Sequence, residues 1–355
     1  MGNKRKPKKI AIISRESDEK TLDVAMLEQE LKSRGIHVKV LSKLLTKDKS
    51  VKNAVGYIGH ALRQEAEILS SDVVVLDTYC IPASLLPHRK STKIIQIWHA
   101  LGAVKKFGWQ TVGRADGTSE RTARLMRMHH GYDYVVCPSE VTAEYYSEAF
   151  RVPKEKIVKL GLPRIDYIKK ITHEESESTK EKILSRYPGL KNTNKKIVLY
   201  APTFRRGQMP DVAGLTAALD PEEYNLLVKL HPLYGGGNIF FRDHIFYDES
   251  FSTYELLAVT DAVVSDYSAL VIEATLAEKP LYLYIYDEVE YSKNTGLNMN
   301  LEEEAIGKYA FRKATDLVAA LKEPYDLQAL QEFRQKYIQV DENCTKALAD
   351  FITVL

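Results

Sequence analysis

Two neighbouring stretches decide the fold: VVVLD, Val73 to Asp77, and KIIQIWHALGAVKKFG, Lys93 to Gly108. The first is a continuous apolar run, the pattern of a strand buried on both faces of a parallel sheet. In the second, Ile94, Ile95 and Ile97 form a similar run that ends at Trp98-His99. Gly102 follows in a small-residue turn, with Lys105, Lys106 and Gly108 just beyond. In open α/β sheets ligands bind outside the carboxyl ends of the strands, which is where His99 is expected. An imidazole in a small-residue loop with two cations beyond it suits an anionic substrate; the bland reading is that His99 simply caps a strand, and taken alone the stretch favours function only slightly.

Working outward, KKIAIIS (Lys8–Ser14) reads as a strand, Leu22–Arg34 as a helix stopped by Gly35, and HVKVL as a second strand. Val51–Leu69 is a longer helical pattern, and Tyr134–Cys137 another strand. This rhythm predicts a doubly wound parallel sheet. No GxGxxG follows the first strand, so a nicotinamide or flavin dinucleotide site is not supported. Residues 105–131 form a basic insertion. Within it Ser119 is expected to cap a helix from Glu120 to His130, on which Arg121, Arg124 and Arg127 are neighbours and Leu125 adjoins Met128. Such an element reads as acceptor- or lipid-facing, or as a plain surface helix.

The 355 residues suit two domains. Fifty basic residues against 48 acidic ones give a net charge of +2, so no global nucleic-acid field is implied. Local patches, KRKPKK near the start and Lys105–Arg127, suit phosphate groups or an anionic membrane surface, or are merely solvated. Cys80, Cys137 and Cys344 are widely spaced and include no CxxC, which argues for a reducing compartment and against a disulfide framework or zinc site. With no secretory h-region and no run of 18 apolar residues, the expected location is cytoplasmic, with membrane contact only at the surface.

GLPRIDYI (Gly161–Ile168) precedes a polar, charged stretch and marks a boundary. The expected division is 1–165, 166–325, and C-terminal helices over 326–355 that fold back across the junction. A second series of strands follows at Lys196–Pro202, Asn225–Pro232, Asp261–Ser268 and Leu281–Tyr286, with a helix over Ala269–Glu278. Three strand ends here deliver polar groups: Thr203, Arg205 and Arg206; Lys229 and His231; Ser265, Asp266 and Ser268. In a parallel sheet they converge on one edge, where cations, hydroxyls and a helix N-terminus suit a pyrophosphate. Glu273, on the following helix, is placed to accept hydrogen bonds from a ribose. Singly each has a structural reading, such as Ser268 or Asp266 capping the helix.

At these residues the chain resembles the CDP-glycerol glycerophosphotransferase family of teichoic-acid primases and polymerases. WHALGAVKKFG is similar to that family's WHGTPLKxxG element. CPSE (Cys137–Glu140), GLPRID (Gly161–Asp166), YAPTFR (Tyr200–Arg205), KLHP (Lys229–Pro232) and SDYSALVIEA (Ser265–Ala274) resemble its other landmarks, in its order. The resemblance implies a GT-B architecture, two doubly wound Rossmann-like domains facing a central cleft. It further implies transfer of glycerol phosphate or ribitol phosphate from a CDP-alditol to a hydroxyl of a lipid-linked polymer acceptor, releasing CMP. It casts His99 as catalytic on the acceptor side and His231 as a catalytic ligand of the donor pyrophosphate. It puts Arg205, Ser265, Asp266 and Ser268 on the donor; similarity to GT-B sugar-nucleotide enzymes adds Glu273 as ribose ligand. Thr203, Arg206 and Lys229 join the donor set, and Lys105, Lys106, Arg121 and Arg124 the acceptor and membrane side. Ala100-Leu101-Gly102 replaces the family's GTP, Lys105 falls one position late, and Glu273 stands for the usual aspartate. No DxD or acidic pair sits at a strand end, so no metal or other cofactor is expected and protein cations are cast in its place. The partners implied are a CDP-alditol, a lipid-linked acceptor and an anionic inner membrane face, with no nucleic acid. The competing readings are a UDP-sugar-dependent GT-B glycosyltransferase or epimerase, and an inactive membrane-associated scaffold.

Overall fold

A computed structural model describes residues 9–44, 51–191, 194–231, 234 and 243–355. The basic run over residues 4–8 and Pro232 of KLHP lie outside them. The chain divides into two compact units, Met1–Asp166 with Tyr337–Leu355, and Tyr167–Lys336.

The first unit is built on β1 (Lys9–Ser14), β2 (His37–Ser42), β3 (Val73–Leu76), β4 (Lys93–Gln96), β5 (Tyr134–Cys137) and β6 (Ile157–Lys159). All pair in parallel in the order β2-β1-β3-β4-β5-β6. Every residue of β3 is buried, as its unbroken apolar sequence requires of a strand covered on both faces. The chain runs from β1 out to β2, then crosses to β3 on the other side, so the strand order reverses between β1 and β3. Such a switch opens a crevice beyond the strands' carboxyl ends. The C-terminal helix Cys344–Thr353 packs on the helix Leu22–Ser33. Asp166 caps it, accepting from the backbone N–H of Cys344 at 2.9 Å and of Thr345 at 2.8 Å. Gly161 is fixed by the same docking, because a Cβ there would collide with Cys344 Sγ.

The second unit repeats the plan with β7 (Lys196–Tyr200), β8 (Tyr224–Val228), β9 (Ile245–Tyr247), β10 (Ala262–Ser265), β11 (Leu281–Tyr284) and β12 (Ala310–Phe311). These form a parallel sheet in the order β12-β11-β10-β7-β8-β9, so its switch lies between β7 and β10. Both sheets match the doubly wound reading of the sequence.

The helix expected over Glu120–His130 is a correction. It is capped by Ser119 as anticipated, but ends at Leu125. Arg127 (φ 44°) and His129 (φ 59°) then take left-handed conformations that a helix cannot contain. The His129 ring is buried and its Nδ1 lies 2.8 Å from the Tyr132 hydroxyl. Burying that imidazole ends the helix, so Arg127 and Met128 do not continue its faces. Among the described residues no helix is long and apolar enough to cross a membrane.

Candidate active site

In the first unit the site forms beyond β1, β3 and β4. The strand expected over Ile94–Trp98 stops at Gln96, whose side-chain oxygen accepts from the Trp98 N–H at 2.9 Å. Trp98 sits at φ 58°, an uncommon conformation for a bulky residue of the kind that collects at functional sites. Its indole stacks on Phe107 at 4.7 Å and lies 4.0 Å from the His99 ring. The turn presents His99 to the end of β3, where Nδ1 is 3.0 Å from the Asp77 carbonyl oxygen. A carbonyl only accepts, so this contact makes Nδ1 the protonated nitrogen and leaves Nε2 as the basic one. Glu16 Oε1 lies 3.7 Å from the same Nδ1.

The His99 side chain is 32 % exposed. Protein packed around it lowers its pKa; Glu16 and the Asp77 carbonyl oppose that, while Arg164 and Lys105 reinforce it. Arg164 is buried and held by Asp23 through Nε at 2.7 Å. The Asp77 carboxyl, itself buried with Oδ1 unpartnered, is pushed up to about 7, chiefly by burial. Sequence reasoning missed Glu16 and Asp77, although each follows a strand flanking the switch.

The departure Ala100-Leu101-Gly102 is packed into the unit: Leu101 is fully buried, and the Tyr146 hydroxyl donates to the Ala100 carbonyl at 2.8 Å. Gly108 is needed where it is, since a Cβ there would collide with the Ala149 carbonyl. Lys105 is exposed and Lys106 half-buried. Arg121 and Arg124 are exposed on the short helix, and Arg124 pairs with Glu120 at 2.6 Å.

In the second unit a pocket of about 400 Å³ opens beside the β7/β10 switch. Of the residues expected there, Lys229, His231, Ser268 and Glu273 line it. Lys229 is oriented by the buried Asp248, with Nζ to Oδ2 2.8 Å. Burial pushes Asp248 up, but hydrogen bonds from Lys229 and the Tyr187 hydroxyl outweigh it and hold the carboxyl low. The exposed His231 ring lies 5.5 Å from that of Phe204. Glu273 accepts from the Tyr254 hydroxyl at 2.9 Å, and Ser268 Oγ accepts from the Leu270 N–H at 3.3 Å.

The others are placed differently. Ser265 is fully buried and donates to the Ala201 carbonyl at 2.8 Å, joining β10 to the end of β7. Asp266, also fully buried, accepts from the N–H groups of Thr203 and Tyr267 at 2.9 and 2.6 Å. Arg205, expected to face the donor, instead bridges Asp266 at 2.8 Å and Asp287 at 2.5 Å, and donates to the Thr203 carbonyl at 2.8 Å. Burial works against its charge, but Asp287 and Asp266 hold the guanidinium firmly protonated. Thr203 is buried with its hydroxyl unpartnered, and Arg206 is exposed on the next turn. These groups fix the loop after β7 to the loop after β10 and so shape the pocket. Asp287, near the end of β11, was not anticipated. Among the described residues no group of three His, Cys, Asp or Glu is clustered to hold a metal ion.

Comparison with known proteins bears on this geometry. The family model for CDP-glycerol:poly(glycerophosphate) glycerophosphotransferase matches residues 2–353. A teichoic acid ribitol-phosphate primase of Bacillus spizizenii is 30% identical over 326 residues, covering 86% of this chain and 81% of the relative. A teichoic acid glycerol-phosphate primase of Bacillus subtilis is 29% identical over 302 residues, covering 82% and 76%. Among solved structures, the wall teichoic acid polymerase TagF superposes with a TM-score of 0.74 at 19% identity, over 99% of this chain and 89% of that one. A UDP-GlcNAc 2-epimerase from Neisseria meningitidis gives 0.62 at 14% identity, over 97% and 99%. At such identities these structures speak to the fold, which is GT-B.

Proposed function

Because the chain belongs to the CDP-glycerol:poly(glycerophosphate) glycerophosphotransferase family, we propose that it moves an alditol phosphate from a CDP-alditol to a hydroxyl of a teichoic-acid acceptor. Glycerol and ribitol are the candidate alditols, since primases of both kinds are comparably similar to it. The acceptor hydroxyl gives its proton to His99 Nε2 and attacks the β-phosphorus, which bears the alditol. The new oxygen–phosphorus bond forms as the bond to CMP breaks. An imidazole suits this task because it titrates near working pH. In the second unit, Lys229, His231 and Ser268 meet the donor phosphates and Glu273 the ribose. Donors aimed at the developing charge are worth about 10²–10³ in rate each.

The observation that carries the reading is the 3.0 Å contact of His99 Nδ1 with the Asp77 carbonyl oxygen, which, because a carbonyl only accepts, leaves Nε2 as the basic nitrogen. Arg205 and Asp266 enter as supports of the pocket rather than as ligands. Protein cations serve in place of a divalent ion. The acceptor is lipid-linked, and the exposed Lys105, Arg121 and Arg124 suit contact with the anionic inner face of the cell membrane.

The test is CMP release from CDP-glycerol and CDP-ribitol with a lipid-linked saccharide acceptor, alongside UDP-sugars and the His99→Ala and His231→Ala variants. Release from one CDP-alditol, none from UDP-sugars and loss in both variants is the expected pattern. Turnover of UDP-sugars alone would transfer the reading to the glycosyltransferase or epimerase class.

A further inference from the structure

We propose that Glu16 is a positioning residue for His99, its carboxylate stationed at the Nδ1 edge of the ring to hold the imidazolium that forms when Nε2 takes a proton. What His99 does rests on the transfer reading above; the pairing itself rests on geometry. Glu16 Oε1 is 3.7 Å from Nδ1, too far for a hydrogen bond to the neutral ring and within ion-pair range of the protonated one. The nearer partner of Nδ1 is the Asp77 carbonyl at 3.0 Å, which sets the tautomer but carries no net charge. The two groups therefore divide the work: the carbonyl orients the ring and Glu16 supplies the countercharge.

The topology explains the meeting. Glu16 lies two residues beyond β1, Asp77 one beyond β3 and His99 three beyond β4, on adjacent strands at the edge where the strand order reverses. The Glu16 N–H donates to the buried Ser14 Oγ at 3.3 Å, tying the loop back to the end of β1. On the other side the Trp98 indole, 4.0 Å away, holds the ring. Burial is the largest influence and disfavours the charged ring; Glu16 opposes it most, then the Asp77 carbonyl, while Arg164 and Lys105 add to the burial. The Asp77 carboxyl is largely protonated below about 7, and the buried His129, held down to about 3, stays neutral. Arg164 is already committed to Asp23.

The experiment is an NMR titration of the His99 ring in the full-length protein, its signal assigned by disappearance in His99→Gln. Glu16→Gln is compared with wild type, and Glu19→Gln, in the same loop, is the control for removing a nearby exposed charge. The Glu16→Gln midpoint should fall by about half a unit to one unit, the size of a partly exposed ion pair at this distance; Glu19→Gln should leave it in place. In the CMP-release assay the acidic limb of the pH profile should move down by the same interval. The plateau kcat should fall, by about tenfold at most for each unit of imidazolium stabilisation lost. An unmoved ring midpoint in Glu16→Gln overturns the proposal, as does a moved midpoint with an unmoved acidic limb. If wild type releases no CMP, the transfer reading fails, and the ring titration still decides whether Glu16 pairs with His99.

Discussion

Replacing Arg205 with methionine removes the charge that Asp266 and Asp287 share while keeping most of the side-chain volume. Arg205 is 5% exposed and Asp266 fully buried, so water cannot replace the guanidinium. Breaking a buried pair by removing one partner costs about 3–5 kcal/mol, because the other charge is left uncompensated. Asp266 retains the N–H groups of Thr203 and Tyr267, which places the loss towards the lower end, about 3 kcal/mol. At roughly 2–4 °C per kcal/mol for a unit of this size, the second unit should melt about 6–12 °C lower. Hydrogen exchange on peptides from β7 and β10 reads that unit directly, alongside a calorimetric scan. The triple variant Arg205→Met/Asp266→Asn/Asp287→Asn should recover at least half of the loss, since no charge of this cluster is left uncompensated. A loss below about 1 kcal/mol, or a triple variant no more stable than Arg205→Met, would refute the reasoning and return Arg205 to the set of groups available to the donor.

Three further outcomes are expected. Asp77, raised from 3.8 to about 7 by burial, holds a proton in the folded state that the unfolded chain releases, so its contribution to stability is full below about pH 4 and is lost as pH rises through 7. Asp77→Asn should therefore be more stable than wild type at pH 8 by about 1–3 kcal/mol and nearly equal at pH 4, as thermal unfolding at the two pH values will show; equal stability at pH 8 contradicts it. Glu273→Gln weakens one charged acceptor in the pocket, so KM for the donor should rise roughly tenfold, the scale of a hydrogen bond to a charged group, with kcat little changed. CMP release should survive EDTA; full loss restored by magnesium would put a metal ion in the mechanism.

The strands that carry the site were legible because their buried stretches are written as apolar runs: the whole of Val73–Leu76, residues 197–200 after the exposed Lys196, and residues 262–264 before the buried Ser265. The strands β6, β9 and β12 were not read. They are two or three residues long and only partly buried, so neither length nor periodicity distinguishes them from loop. The helix after Ser119 was read too long because its start has a local signal, the cap, while its end is set by the tertiary burial of His129. The same division holds in the site. Motif order pointed to His99, which lies at the end of β3, and to Lys229, His231, Ser268 and Glu273, which line the pocket of the second unit. It could not tell which polar residues face the pocket and which brace it, because Arg205 and Asp266 neutralise each other only once β7 and β10 are side by side. Glu16 and Asp287 belong to no motif and become visible through distance alone.

The most direct measurement is a ³¹P NMR time course with a CDP-alditol and a lipid-linked acceptor. If His99 Nε2 activates the acceptor hydroxyl for attack on the β-phosphorus, the pyrophosphate signals should decay into one CMP and one new phosphodiester in equal amounts, and His99→Ala should leave them unchanged. Free alditol phosphate without a phosphodiester, or an undiminished rate in His99→Ala, would contradict it.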